Sequence, residues 1–196
     1  MKIIRNVLPK PQADWLETTV LNYGKWNYLA DSSKPGWVSN EDAELEHRKT
    51  YAHMSLPIFC VENPCPVQNK EWLDKMDSTI HTFAHISNCQ AANLSRLRFC
   101  LYLPSDPGEP HEPHMDSQIP HTVVLYYLND SDGDTYFYKQ VPYSIQQYDA
   151  QRDYGPVVKR ISPKKNTAVI FDGNTYHASS NPSEGVRLSM TINYRT

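Results

Sequence analysis

The chain has 196 residues, 39% of them hydrophobic and 21% charged, with 19 Lys+Arg against 22 Asp+Glu and a formal charge of −3. That length suits one domain whose core needs no staples, and the near-balanced charge gives no general electrostatic footprint for nucleic acid. The opening MKIIRNVLPKPQADW does not read as a signal peptide, and no apolar run approaches the ~20 residues of a membrane span.

Taken in chain order, residues 1–93 read as a helical and irregular segment that packs on a core. A short helix is expected near ADWLETTVLN, followed by loops containing Pro, Ser and Tyr. Trp15, Trp26 and Trp37 there suit packing or recognition equally. The stretch NKEWLDKMDSTIHTFAHIS then places Trp72, Leu73, Met76, Ile80, Phe83 and Ala84 on one helical face. The four cysteines (Cys60, Cys65, Cys89, Cys100) contain no CxxC pair and read as plain thiols of a reducing compartment. A cytoplasmic protein is therefore expected (host cytoplasm, if a virus encodes it).

From about residue 94 the period changes. LRFCLYL, HTVVLYYLN, DTYFYKQV, NTAVIFD and VRLSMTINYR are rich in β-branched and aromatic residues, and turn-forming SDPGEP, NDSDGD, SPKKN and NPSEG separate them. Strands at this spacing, with helices only before them, predict a mainly β protein with flanking helices. Its core at 94–196 is expected to be an antiparallel barrel or two-sheet jelly roll. The polar, tyrosine-rich stretch at about 138–160 reads as a flap over one mouth.

The run HEPHMD (111–116) raises the question of metal binding. Residues two apart on an extended chain share a face, so His114 and Asp116 form a pair, while His111 and His114 do not. A third ligand must come from a distant strand, and His177, just after NTAVIF, is the best placed. Two histidines and one carboxylate on one side of an iron leave three positions open, as non-haem Fe(II) oxygenases require. A bare H-x-D is common by chance. Ten residues beyond His177, however, Arg187 and Ser189 again share a strand face. A buried Arg presents a planar fork matched to a carboxylate, and with Ser189 and a tyrosine from the adjoining strand it would grip the far end of a dicarboxylate.

Together the segments PHMD, VVLYYLND, DGDTYFY and ISPKKNTAVIFDGNTYHASSNPSEGVRLSMTINY resemble the Fe(II)- and 2-oxoglutarate-dependent dioxygenases, over about Leu97 to Tyr194. The nearest likeness is to the prolyl-4-hydroxylase-like branch, including its short microbial and viral members. The resemblance implies a double-stranded β-helix (jelly-roll or cupin-like) core. It implies His114, Asp116 and His177 as Fe(2+) ligands, and Arg187 as anchor of the 2-oxoglutarate C5 carboxylate. Tyr127, Ser189 and Tyr102 would line the same co-substrate pocket. The implied reaction hydroxylates an unactivated C–H bond with O2, forming succinate and CO2, with ascorbate as an optional further requirement. One departure is that the usual Gly-Gly before the fourth strand reads Asp132-Gly133 here.

The substrate stays open between a prolyl residue of a peptide and a small molecule. Tyr138, Tyr143, Tyr148 and Tyr154 could pack the flap or touch it, and His111 is a minor candidate for the rim or the metal. His81 and His85, four apart on the helix, read as a solvated face, and His121 falls on the strand face opposite Asp116. Two rival functions are a non-catalytic metal-binding jelly roll and an AlkB-like nucleic-acid demethylase. The latter should carry a second Arg six past the first, whereas Arg195 lies eight past Arg187.

Overall fold

The computed structural model describes residues 1–29, 53–61, 67–105, 109–139 and 154–196. Tyr143, Tyr148, Trp37 and Cys65, and most of the expected flap, lie outside the described residues.

Two helices form where the apolar spacing is helical. In α1 (Lys10–Tyr23), Pro11 stands in the first turn, where its missing N–H costs nothing, and Ala13, Leu16 and Val20 are buried along one stripe. The helix stops at Gly24, whose N–H reaches Val20 O; a Cβ there would meet that carbonyl at 2.5 Å. In α2 (Lys70–Ile86), the Asn69 side chain caps the first turn by accepting from the Trp72 N–H. Trp72, Met76, Thr79, Ile80, Phe83 and Ala84 are buried, and Leu73 packs partly against the same core. The polar side carries His81 and His85 in solvent. Among the described residues no helix is long and apolar enough to cross a membrane.

Among the described residues there are eleven strands: β1 (Lys2–Arg5), β2 (Asn27–Leu29), β3 (His53–Cys60), β4 (Val67–Gln68), β5 (Leu94–Tyr102), β6 (His121–Tyr127), β7 (Thr135–Tyr138), β8 (Val157–Ile161), β9 (Thr167–Asp172), β10 (His177–Ser179) and β11 (Arg187–Arg195). Eight of them form one antiparallel sheet in the order β1-β9-β6-β11-β5-β3-β2, with β4 paired to β3; the other three form a sheet ordered β10-β7-β8. The result is a mixed α/β fold dominated by strands with flanking helices.

Alternation along the central strands divides the interior in two. Leu188, Met190, Ile192 and Tyr194 of β11, with Leu97 and Phe99 of β5, face the helices and build the main core with Leu16, Met76 and Phe83. The opposite face of the large sheet packs on the small one through Val123, Leu125, Tyr127, Phe137, Ile161, Val169 and Phe171. Phe137 and Phe171 meet there at 5.1 Å between centroids. Into this second layer β11 also points Arg187, Ser189, Thr191 and Asn193, all buried.

Two readings from sequence need correction. Stretches expected to be irregular supply β1, β2 and β3 of the large sheet. Within β3 the register with β5 shifts between Pro57 and Phe59; a proline at a bulge hides the strand pattern. The end of the expected flap is β8, an edge strand with four exposed residues followed by buried Ile161, so it lacks the alternation that marks a half-buried strand.

Asn166 ties the chain start to this core. Its backbone is left-handed (φ 59°). Its side chain accepts from Leu8 N–H (2.9 Å) and the Tyr126 hydroxyl (3.1 Å) and donates to Leu8 O (2.8 Å). Asn166→Ala loses all three bonds and strains the backbone, so urea denaturation should show a loss of about 2–4 kcal/mol. Asn166→Gly, which tolerates the φ, should recover roughly 1 kcal/mol of that.

Candidate metal centre and carboxylate pocket

His114 and His177 come from distant segments and meet as an isolated antiparallel bridge. Each backbone N–H donates to the other's carbonyl at 3.0 Å, and the rings stand 4.8 Å apart. Each ring is oriented by its own chain: His114 Nδ1 lies 3.2 Å from Glu112 O, and His177 Nδ1 lies 3.0 Å from Thr175 O. A carbonyl only accepts, so Nδ1 carries the proton in both and Nε2 keeps its lone pair, the tautomer that a metal ligand needs. Phe171 packs edge-on to the His177 ring at 5.0 Å.

Asp116 completes the group, and one ligand atom from each of the three residues lies within 4.8 Å of the others. The Asp116 side chain is 2% exposed. Its Oδ1 faces Arg96 Nη1 (3.3 Å) and Arg98 Nη2 (3.8 Å), while Oδ2 is buried with no partner. Burial would raise the carboxyl pKa, but Arg96, His177 and Arg98 together hold it well below the usual carboxylate range. Burial, with the neighbouring His177, depresses His114 to about 3 and likewise lowers His177. Two neutral imidazoles and a carboxylate with one unpartnered oxygen are a donor set that fits a divalent transition metal.

Arg187, on the same inner layer of the large sheet as Ser189, is fully buried. Nη2 donates to Thr135 Oγ1 (2.8 Å), and the Thr135 hydroxyl is also 2.7 Å from the Tyr127 hydroxyl. The guanidinium lies over the Tyr102 ring at 4.9 Å and the Tyr127 ring at 6.0 Å. Burial raises both phenols against the pull of Arg187. Arg187 Nε and Nη1 have no partner, so two donor nitrogens await an acceptor, as a carboxylate would provide. Ser189, 2% exposed, follows on the same strand face.

The structure thus gathers His114, Asp116 and His177 in one place, and Arg187 with Tyr127 and Tyr102 in another. His111 is outside the metal group: its Nε2 is 2.9 Å from Asn181 Oδ1, and its ring tilts against Tyr102 at 5.4 Å. His121 is likewise apart, its ring packed on Gly173. Tyr138 and Tyr154 pack with Tyr136 and Tyr176, on the far side of the small sheet from Phe137. The Tyr154 hydroxyl donates there to Glu112. Gly133 is required where it stands, since a Cβ would sit 2.7 Å from Ser180 O.

Thr135, Arg96 and Arg98 were not foreseen. The two arginines share parity with Tyr102 along β5, and that alternation was the available signal. Thr135 had none, because its role depends on the sheet that stacks it against Arg187.

A family model described as the 2OG-Fe(II) oxygenase superfamily matches residues 83–195. A search of curated proteins finds no match by sequence. Among solved structures, the chain is similar to the non-heme alpha-ketoglutarate-dependent epimerase SnoN from nogalamycin biosynthesis (TM-score 0.65, 14% identity, covering 98% of this chain and 77% of that one). It is similar to a Pseudomonas putida prolyl-4-hydroxylase (TM-score 0.56, 16% identity, 100% and 92% covered). A viral collagen prolyl hydroxylase from Paramecium Bursaria Chlorella virus-1 also matches (TM-score 0.53, 15% identity, 100% and 94% covered). At such identities the likeness speaks to the fold.

The buried histidines make the metal-free protein acid-sensitive. Burial holds His111 at about 4, while the unfolded chain takes up that proton near 6.5. The unfolded state therefore binds more protons as pH falls from about 6.5 toward 4, and stability is lost across that window. His111 alone should cost on the order of 2 kcal/mol at pH 5 relative to pH 8. Urea titrations at the two pH values should show this difference, and His111→Asn should narrow it.

Proposed function

The chain belongs to the 2OG-Fe(II) oxygenase superfamily, and from that premise we propose that it is an Fe(II)- and 2-oxoglutarate-dependent dioxygenase that hydroxylates an unactivated C–H bond. The observation that carries this reading is the pairing of two unmet needs. One is a buried carboxylate–diimidazole set with an unpartnered oxygen; the other is a fully buried guanidinium with two unpartnered nitrogens. A ferrous ion answers the first and the distal carboxylate of 2-oxoglutarate answers the second.

In this reading His114, Asp116 and His177 hold the iron. Arg187 holds the far carboxylate of 2-oxoglutarate, with Thr135 fixing the guanidinium and Tyr102 and Tyr127 walling the pocket. Bound iron supplies the chemistry that couples oxidative decarboxylation of 2-oxoglutarate to hydroxylation, with succinate and CO2 as products. The protein's part is placement and exclusion of water: the Nδ1 bonds set the imidazoles, and Phe137 and Phe171 dry the layer behind them.

The two facing antiparallel sheets are read as a double-stranded β-helix, supported by the strand order and by the shape likeness to an alpha-ketoglutarate-dependent epimerase and two prolyl hydroxylases. Likeness to two prolyl hydroxylases supports the prolyl-4-hydroxylase-like branch, with a prolyl residue or a small molecule as substrate.

Succinate release from 2-oxoglutarate with Fe(II) and O2 tests the reading. Wild type should turn over, Asp116→Ala should fall to background, and Arg187→Gln should raise the KM for 2-oxoglutarate roughly 100-fold or more through loss of a buried charge-assisted pair. Equal turnover by wild type and Arg187→Gln would remove this pocket from the account.

A further inference from the structure

The second layer of the molecule holds more positive charge than the proposed chemistry consumes. Arg96, Arg98 and Arg187 all project from the two central strands onto the same side of the large sheet, at register positions facing Asn193, Thr191 and Tyr102. Among the described residues, Asp116 is the one acid that pairs with Arg96 or Arg98. Asp134 is committed to Arg160 and Glu112 to Tyr154. Three guanidinium charges therefore stand against a single carboxylate. A divalent ion and doubly charged 2-oxoglutarate cancel each other, so loading both leaves the surplus of two unchanged.

The geometry says where that surplus sits. Both β5 arginines lean on Asp116 Oδ1 alone, through one nitrogen each and at 3.3 and 3.8 Å, so neither makes a two-bonded fork. Arg98 Nε is buried and has no partner. The side chains are 22% and 18% exposed, open enough for a ligand to reach and too enclosed for water to neutralise them fully.

Resting on the dioxygenase reading for the identity of the reaction, we propose that Arg96 and Arg98 bind a carboxylate of the hydroxylation substrate beside the metal. The substrate is thereby an anionic small molecule or a chain end with a free carboxylate, and an uncharged internal peptide segment does not satisfy the site. Arg98 is the principal contact, since it has the unused donor, and Arg96 supplies the second charge. Both are specificity residues: they position the substrate and take no part in the oxidation.

The test is an anion titration read on arginine side-chain N–H signals by NMR. Protein loaded with Zn(II) and 2-oxoglutarate, which occupies Arg187, is titrated with acetate at constant ionic strength in chloride, with acetamide as the neutral control. The Arg98 Nε–H signal, identified by its loss in Arg98→Gln, should shift saturably with acetate at millimolar affinity and stay still with acetamide. Arg98→Lys keeps the charge without the fork, and should bind acetate roughly tenfold more weakly, read there on the Arg96 Nε–H signal, while circular dichroism reports an intact fold.

A wild-type Arg98 signal unmoved by acetate, or equal shifts from acetate and acetamide, would overturn the proposal. Tighter saturation by inorganic phosphate than by acetate would overturn the carboxylate assignment. The same titration on metal-free Arg187→Gln protein, without 2-oxoglutarate, reads the β5 arginines alone. Failure of 2-oxoglutarate to bind wild type would thus sink the dioxygenase reading while this arm still decides the anion site.

Discussion

A guanidinium with no accessible surface and two unmatched donor nitrogens is the most demanding feature of this fold. An unpartnered buried charge costs several kcal/mol even after relaxation. One hydrogen bond to Thr135 and two aromatic faces recover only part of that. Much of the architecture exists to hold Arg187 there. It begins β11, the strand at the middle of the large sheet, and is held there by pairing with Tyr102 of β5, while β6 joins the other edge of the strand from Ser189 onward. The helical layer on the other face supplies the apolar stabilisation that an inward arginine cannot.

That division of labour is written into β11 itself. Eight of its nine residues are buried, yet half of those are polar. Leu188, Met190, Ile192 and Tyr194 make the core, while Arg187, Ser189, Thr191 and Asn193 face the site. A strand buried on both faces would ordinarily read as a continuous apolar run. Polar residues alternating through such a strand mark a face built for something other than packing.

This explains how much was legible from residues alone. The alternation of RLSMTINYR, the helical face of α2 and the H-x-D pair are local patterns, and local patterns survive in sequence. Pairing His177 with His114 needed only the guess that two strands converge, and the bridge between them supplies the rest. What stayed hidden is non-local or irregular. β3 is disguised by Pro57 at its bulge, and β8 by exposure of four of its five residues. The N-terminal stretch is tied in through Asn166, whose left-handed backbone and contact with Leu8 span 158 positions and leave no trace in either segment. Tyr138, expected either to pack the flap or to touch substrate, lies with Tyr136 on the outer side of the small sheet against Tyr154, because alternate residues of a strand share a face.

Asp116 joins the two halves of the charged layer. Its Oδ1 is engaged by Arg96 and Arg98, which fixes the carboxylate plane and keeps the group ionised far into acid. Oδ2 is left over, and it is the atom nearest in purpose to the two imidazole Nε2 lone pairs. The same pair of arginines therefore does two things that pull in opposite directions. They lend Asp116 charge stabilisation through one shared oxygen, and Arg98 Nε is left without a partner. A bidentate arginine would have placed a hydrogen bond on each oxygen, whereas here one oxygen is left clear of any donor. Two arginines on one oxygen preserve the ligand, and their unspent hydrogen-bonding capacity is the physical reason to look for an anion next to the metal.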